Sequence, residues 1–178
     1  MRLDPKYFIP FLLVIAAICV IAIIFFNLRF LGDQTVRFAE RVGDGTELLN
    51  HEFEKYFTGD TVSPADFEDV KIITLFWATW SNRSLTAQAK ILDIIERADD
   101  PPVLLLMAVK DNEMYLADFR QLLTDRTILL NATEFYNEAR LPGMPAIVAF
   151  NSDGSIYGMK LGYTGPDDYL FLENFLKN

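Results

Sequence analysis

The run YFIPFLLVIAAICVIAIIFF, Tyr7 to Phe26, holds twenty residues without a charge. As a helix it is long enough to cross the roughly 30 Å hydrocarbon core of a bilayer. A cleaved signal peptide is the rival reading, but such peptides have an apolar core of about 7 to 15 residues followed by a small-x-small site. Here the run is longer and gives way to the bulky FFNLRFL. An uncleaved anchor over residues 7–28 is therefore expected, behind an N-terminal tail of residues 1–6. Pro10 is expected in the first turn, where a missing N–H costs no helical hydrogen bond, and Tyr7 and Phe8 suit a membrane interface. Basic residues lie on both sides, Arg2 and Lys6 before and Arg29, Arg37 and Arg41 after, so local charge does not set the orientation.

With the anchor set aside, a chain of 178 residues leaves room for one domain of ordinary size. The formal net charge of -9 and pI near 4.6 would repel a phosphate backbone over most of the surface, which argues against nucleic acid as a partner. Cys19, inside the apolar run, is the single cysteine, so no disulfide can form within the chain. That usage fits a reducing or an oxidising compartment alike.

Residues 29–69 read as a polar extension, with turn signals at GDGTE (Gly43 to Glu47) and TGDTVSP (Thr58 to Pro64), and a short helix around Leu48 to Phe57. His51, the lone histidine, has no second ligand at a metal-binding spacing and reads as a surface residue without a role. From Val70 the pattern changes. KIITLFWA, Lys71 to Ala78, and VLLLMAV, Val103 to Val109, are β-branched and apolar runs of the kind buried on both faces of a sheet. Between them Leu85, Ala89, Leu92 and Ile95 recur at helical spacing, and Asp93 and Arg97 are placed for an i,i+4 pair. A helix carrying Met114 or Tyr115, Leu116, Phe119 and Leu122 or Leu123 on one face is expected over Asn112 to Leu123, then an extended TILL from Thr127 and a short helix from Ala132. AIVAFNSDGSIYGMKLG places an Asp-Gly turn between two β-rich runs, an antiparallel hairpin. GPDDYLFLENFLKN closes the chain as a helix, with Pro166 in its first turn, Asp167 and Asp168 at its positive end, and Leu170, Phe171 and Phe175 inward. The alternation of strand and helix, followed by a hairpin, is that of a mixed α/β layer fold.

Two short stretches, together with the single N-terminal anchor, carry a resemblance. FWATWSNRS, Phe76 to Ser84, stands where the membrane-tethered TlpA, ResA and CcmG-like thiol-disulfide oxidoreductases have a Trp-Ala-x-Trp-Cys-x-x-Cys loop, and GMPAIVAFNSDGSI stands where they have a Gly-x-Pro strand and hairpin. Residues 70–178 thus resemble the thioredoxin-like fold, an α/β fold in which a mixed sheet is flanked by helices, here preceded by a single transmembrane helix. The resemblance implies that the Met144–Pro145 bond is cis, and that an extended peptide pairs with the backbone beside Pro145.

The chemistry of that group rests on a thiolate at a helix N-terminus, where backbone N–H groups lower the thiol pKa. Ser81 and Ser84 occupy both thiol positions. A serine hydroxyl forms no disulfide and needs an adjacent base to become a nucleophile, and the one histidine lies outside the matched region. Leu75 stands where thioredoxins proper carry a buried acid. No catalytic residue, metal or cofactor is assigned. Ser81 is expected to act as the N-cap of the following helix, accepting from the N–H of Ser84. Trp77 is expected in the core. Trp80, Ser81, Met144 and Pro145 are the candidate partner-binding residues, lining a groove suited to peptide or protein recognition.

The function expected is a redox-inactive thioredoxin-like module, not an enzyme, anchored in the inner membrane with its domain on the periplasmic or other extracytoplasmic side. It binds or positions an envelope or membrane protein, as in assembly of a membrane complex. The alternative is an accessory structural subunit of such a complex, held through the anchor and Arg29 to Asp69. A thiol-disulfide oxidoreductase with engineered Cys-to-Ser changes would read the same.

Overall fold

The computed structural model describes residues 5–67 and 69–177; Met1 to Asp4 of the expected tail lie outside them. The chain divides into two compact units, Met1–Val36 and Arg37–Asn178. Helix α1 (Pro5–Val42) contains one apolar window, Phe8–Phe26, long enough to cross a membrane and with none of it buried within the chain. Because α1 is already helical at Pro5, Pro10 sits inside the helix, not in its first turn.

The second unit is a seven-stranded mixed sheet with helices on both faces. Its strands are β1 (Phe53–Lys55), β2 (Thr61–Val62), β3 (Ile72–Trp77), β4 (Val103–Ala108), β5 (Thr127–Asn131), β6 (Ala146–Phe150) and β7 (Ile156–Leu161), in the order β2-β1-β5-β4-β3-β6-β7. The pairs β3–β4 and β4–β5 are parallel; β3–β6, β6–β7, β1–β5 and β1–β2 are antiparallel. The parallel pair and the terminal hairpin agree with the sequence pattern. The helices are α2 (Thr46–Asn50), α3 (Asn82–Glu96), α4 (Glu113–Leu116), α5 (Thr133–Glu138) and α6 (Leu170–Lys177).

Strand periodicity sorts the core into two layers, because successive side chains point to opposite faces. Ile72, Phe76, Val103, Leu105 and Met107 meet Phe38, Val42, Leu48, Phe53 and Phe135 on one side. Ile73, Leu75, Trp77, Leu104 and Leu106 meet Ala87, Ile91 and Ile94 of α3 and Leu172 and Phe175 of α6 on the other.

Four local expectations are corrected. The stretch Leu48 to Phe57 is not a helix: α2 stops at Asn50, and Phe53–Lys55 pairs with β5 as a strand, so residues ahead of Val70 extend the sheet by two strands. The buried face of α3 is Ser84, Ala87, Gln88, Ile91 and Ile94, while Leu85, Leu92 and Ile95 flank it and Ala89 is exposed. Two polar residues on the inner face hid that stripe from a hydrophobicity reading. The Asn112 to Leu123 helix breaks after one turn into a 3-10 stretch, which leaves Leu116 buried and Met114 and Tyr115 exposed. At the C-terminus a 3-10 turn over Pro166–Tyr169 rotates the register, so that Tyr169, Leu172 and Phe175 face inward and Leu170 outward.

His51 is also not a surface residue. Its ring is half-buried, 4.6 Å from that of Phe53 and 5.1 Å from that of Phe135.

Candidate functional site

The candidate site is built where β3 ends and α3 begins. Buried β3 delivers Trp77 into the core with no exposed surface, as expected, and its carbonyl accepts from the N–H of Val109 at 3.0 Å. The chain then turns: Ser81 N–H donates to the Ala78 carbonyl at 3.2 Å, and Ser81 itself adopts the extended backbone of an N-cap. Its Oγ accepts from the N–H of Ser84 at 3.3 Å, the capping bond read from the sequence. Leu85 N–H donates to the Ser81 carbonyl at 3.0 Å and starts the helical ladder.

The two serines have different environments. Ser81 is half-buried and engaged as a cap. Ser84, in the first turn of α3, is fully buried, and its Oγ has no hydrogen-bond partner among the described residues. Among the described residues no hydrogen bond joins either hydroxyl to a histidine or a carboxylate, and there is no group of three or more His, Cys, Asp or Glu that could hold a metal ion. The lone thiol, Cys19, belongs to the apolar part of α1 in the other unit.

Asp111, just after β4, fixes the loop from the side. Its carboxylate accepts from the backbone N–H of Thr79 at 2.7 Å and from the Thr79 hydroxyl. The Asp111 carbonyl in turn accepts from the Tyr56 hydroxyl at 3.2 Å. Burial, reinforced by the negative charges of Asp111, Glu113 and Glu54, pushes the Tyr56 phenol up to about 12, so it stays a hydrogen-bond donor at any physiological pH. Asn112 caps α4 through its Oδ1, which accepts from the N–H of Met114 at 2.8 Å.

Above this frame Trp80 is 63% exposed, with Met114 at 69% and Tyr115 at 60%. Trp80 and Tyr115 share a groove of about 460 Å³ with Thr79, Lys110, Asp111 and Asn112. Met144 and Pro145 are not among its lining residues. Met144 is half-buried and packs against the core, Pro145 is buried, and the bond between them is cis, as the resemblance implies. The Pro145 carbonyl accepts from Gly162 N–H at 2.7 Å, whereas neither backbone group of Met144 joins a backbone hydrogen bond among the described residues.

Sequence reasoning did not find Lys110, Asp111 and Tyr115. The available signal was the polar KDN directly after a buried strand, where Asn112 is a good cap residue, but which neighbouring loop Asp111 would brace is a property of the fold.

No protein-family profile and no curated protein matches this chain. Solved structures do. The exposed lipoprotein thioredoxin of Streptococcus pneumoniae is similar at 18% identity and a TM-score of 0.52, over 71% of this chain and 98% of that one. A secreted disulfide oxidoreductase of Mycobacterium tuberculosis, homologous to Escherichia coli DsbE, is similar at 14% identity and 0.58, over 74% and 98%. The thioredoxin domain of a thiol-disulfide oxidoreductase of Bacteroides vulgatus is similar at 17% identity and 0.56, over 71% and 92%. Likeness at these identities establishes the fold: this chain has a thioredoxin-like fold, with one N-terminal helix long and apolar enough to span a membrane and with no cysteine pair.

Proposed function

We propose that this chain is a membrane-anchored, redox-inactive thioredoxin-like module that binds or positions another protein of the bacterial envelope. The anchor is assigned to residues 7–28, and the domain beyond it to the extracytoplasmic side, in keeping with a lipoprotein and a secreted protein among the structural neighbours. The observation that carries the reading is a division of labour at the β3–α3 loop. Both positions of the thiol pair hold serine, one engaged as a cap and one buried, while the aromatic surface beside them stays open at Trp80. The backbone of Met144 is available to pair with an extended segment, and Trp80 supplies an aromatic contact.

Affinity purification of the intact protein from native membranes, beside a Trp80→Ala, Met144→Ala variant, tests it. A partner retained by the wild type and lost by the variant supports the reading; identical partner sets remove both residues from it. Insulin reduction assayed in parallel should show no turnover.

A second reading is an accessory structural subunit held through the anchor and Arg29 to Asp69, a stretch whose apolar side chains belong to the domain itself. Phe38, Val42, Leu48, Phe53 and Val62 are all core residues. Deleting residues 70–178 would therefore strip the partner layers from these side chains and unfold what is left. Point variants on the surface of residues 37–69 are the sound test of that reading.

A further inference from the structure

A second groove lies at the other end of β3. Leu49, Pro64, Phe67, Val70, Ile72 and the turn Asn151–Gly154 line it, together with Ala65 and Asp69, and it measures about 360 Å³. Ile72 is the first residue of β3 and pairs with Phe150, the residue before the turn. The Ser81 loop follows the last residue of the same strand, so six residues at about 3.3 Å each separate the two sites.

The floor is apolar and only partly covered: Leu49, Phe67 and Val70 pack on the core yet remain half-open. Its wall is held in place before any ligand arrives. The Ser63 hydroxyl donates to the Leu49 carbonyl, and Ser63 N–H donates to Asp66 Oδ2 at 2.8 Å within a capping box. A preformed wall lowers the ordering cost of association.

Charge selects the occupant. The lining carries two carboxylates, Asp69 and Asp153, both exposed, and no lysine, arginine or histidine. Neither carboxylate has an ion-pair partner among the described residues. Hydrogen bonds from the Ser155 hydroxyl and backbone hold the Asp153 carboxyl below its usual range, so it stays anionic. The segment that supplies Leu49, Pro64, Phe67 and Asp69 is itself acidic. Residues 37–69 carry nine carboxylates against Arg37, Arg41 and Lys55, a net -6 out of the chain's -9. Such a field attracts and orients a cationic partner and repels an acidic one.

We propose that this groove is a docking site for a basic segment of a partner protein, one that seats an apolar side chain on Leu49, Phe67 and Val70 and sets flanking lysine or arginine against Asp69 and Asp153. The site is separate from the Trp80 surface, and either can fail without the other.

The test uses the full chain in detergent micelles and three fluorescent peptides: one alternating lysine and leucine, one alternating glutamate and leucine, and one alternating lysine and serine. The lysine–leucine peptide should bind, more weakly as salt rises through the range where the Debye length falls below about 10 Å. It should also shift the methyl resonances of Leu49 and Val70. Asn tolerates the left-handed backbone of Asp69, φ 59°, and can still accept from Ser155 at position 153, so an Asp69→Asn, Asp153→Asn variant keeps the local geometry. That variant should bind about fivefold more weakly or worse, the loss of two exposed ion pairs. Trp80→Ala should bind unchanged. Equal binding of the glutamate or the serine peptide, an unaffected double variant, or loss of binding in Trp80→Ala would each overturn the assignment.

Discussion

Replacing each loop serine by alanine should move stability in opposite directions. Ser81→Ala removes the oxygen that accepts from Ser84 N–H, and loss of such a cap costs about 1 kcal/mol. Ser84→Ala removes a hydroxyl that is fully buried and has no partner among the described residues. A buried hydroxyl without a hydrogen bond costs about 1–3 kcal/mol, and alanine is the better helix former by roughly 0.5 kcal/mol. Against this stands the small void left by one oxygen, up to about 1 kcal/mol. The net is a gain of about 1–2 kcal/mol for Ser84→Ala, so the two variants should differ by about 2–3 kcal/mol. For a domain of this size each kcal/mol moves Tm by roughly 2–4 °C. Thermal and urea unfolding of both variants in the same detergent would measure the difference. If Ser84→Ala is destabilised as much as Ser81→Ala, Ser84 Oγ has a partner and the two-environment account of the loop is wrong.

Introducing Ser81→Cys and Ser84→Cys together should give the loop insulin-reducing activity above that of the serine-bearing chain; an inactive but folded double variant would show that more than two atoms separate this scaffold from the solved oxidoreductases whose fold it shares. Asp168 accepts from Lys160 Nζ at 2.8 Å and from Thr164 and Gly165, which outweigh the upward push of burial and hold its carboxyl at about 2 against an ordinary 3.8. A depressed carboxyl stabilises above its unfolded pKa, so about 1–2 kcal/mol should be lost as pH falls from about 4 to about 2, and Asp168→Asn should flatten that part of the stability profile. Tyr56 has the opposite sign: its raised phenol stabilises below pH 10, and ultraviolet titration should find it ionising near 12, a feature missing in Tyr56→Phe. Gly45→Ala should cost more than Gly43→Ala although both have positive φ, because a Cβ on Gly45 would stand 2.6 Å from Phe150 Cε1 while one on Gly43 meets nothing; unfolding midpoints decide it.

The sheet's centre was legible because β3, β4 and β6 are buried on both faces and so read as continuous apolar runs, and the Asp-Gly turn announced the hairpin. The edge was not: β1 and β2 have three and two residues, too few to show a period. The inner face of α3 was misread for the reason that makes it interesting, since Ser84 and Gln88 are buried against the usual preference for polar residues outside. In the candidate site the serine cap and the core placement of Trp77 were local and predictable. Asp111, 32 residues away along the chain, braces Thr79 only because β3 and β4 are neighbours in the sheet.

Retention of a catalytic-looking loop is not by itself a sign of function. Ser81 caps a fifteen-residue helix and the Pro145 carbonyl holds Gly162, so both positions earn their place through the fold alone. Stability gives no such reason for Trp80. A tryptophan 63% exposed, sharing a groove with a tyrosine 60% exposed, contributes little to the core and would be as well served by a polar residue. Exposed aromatic rings such as Trp80 and Tyr115 are enriched at interfaces, where a rigid ring gives area at low entropic cost. The binding reading therefore stands or falls on Trp80, not on the serines. Trp80→Ala should leave Tm within about 1–2 °C of the wild type while abolishing partner capture; a variant that loses several degrees would make the ring a structural cover for the sheet end instead.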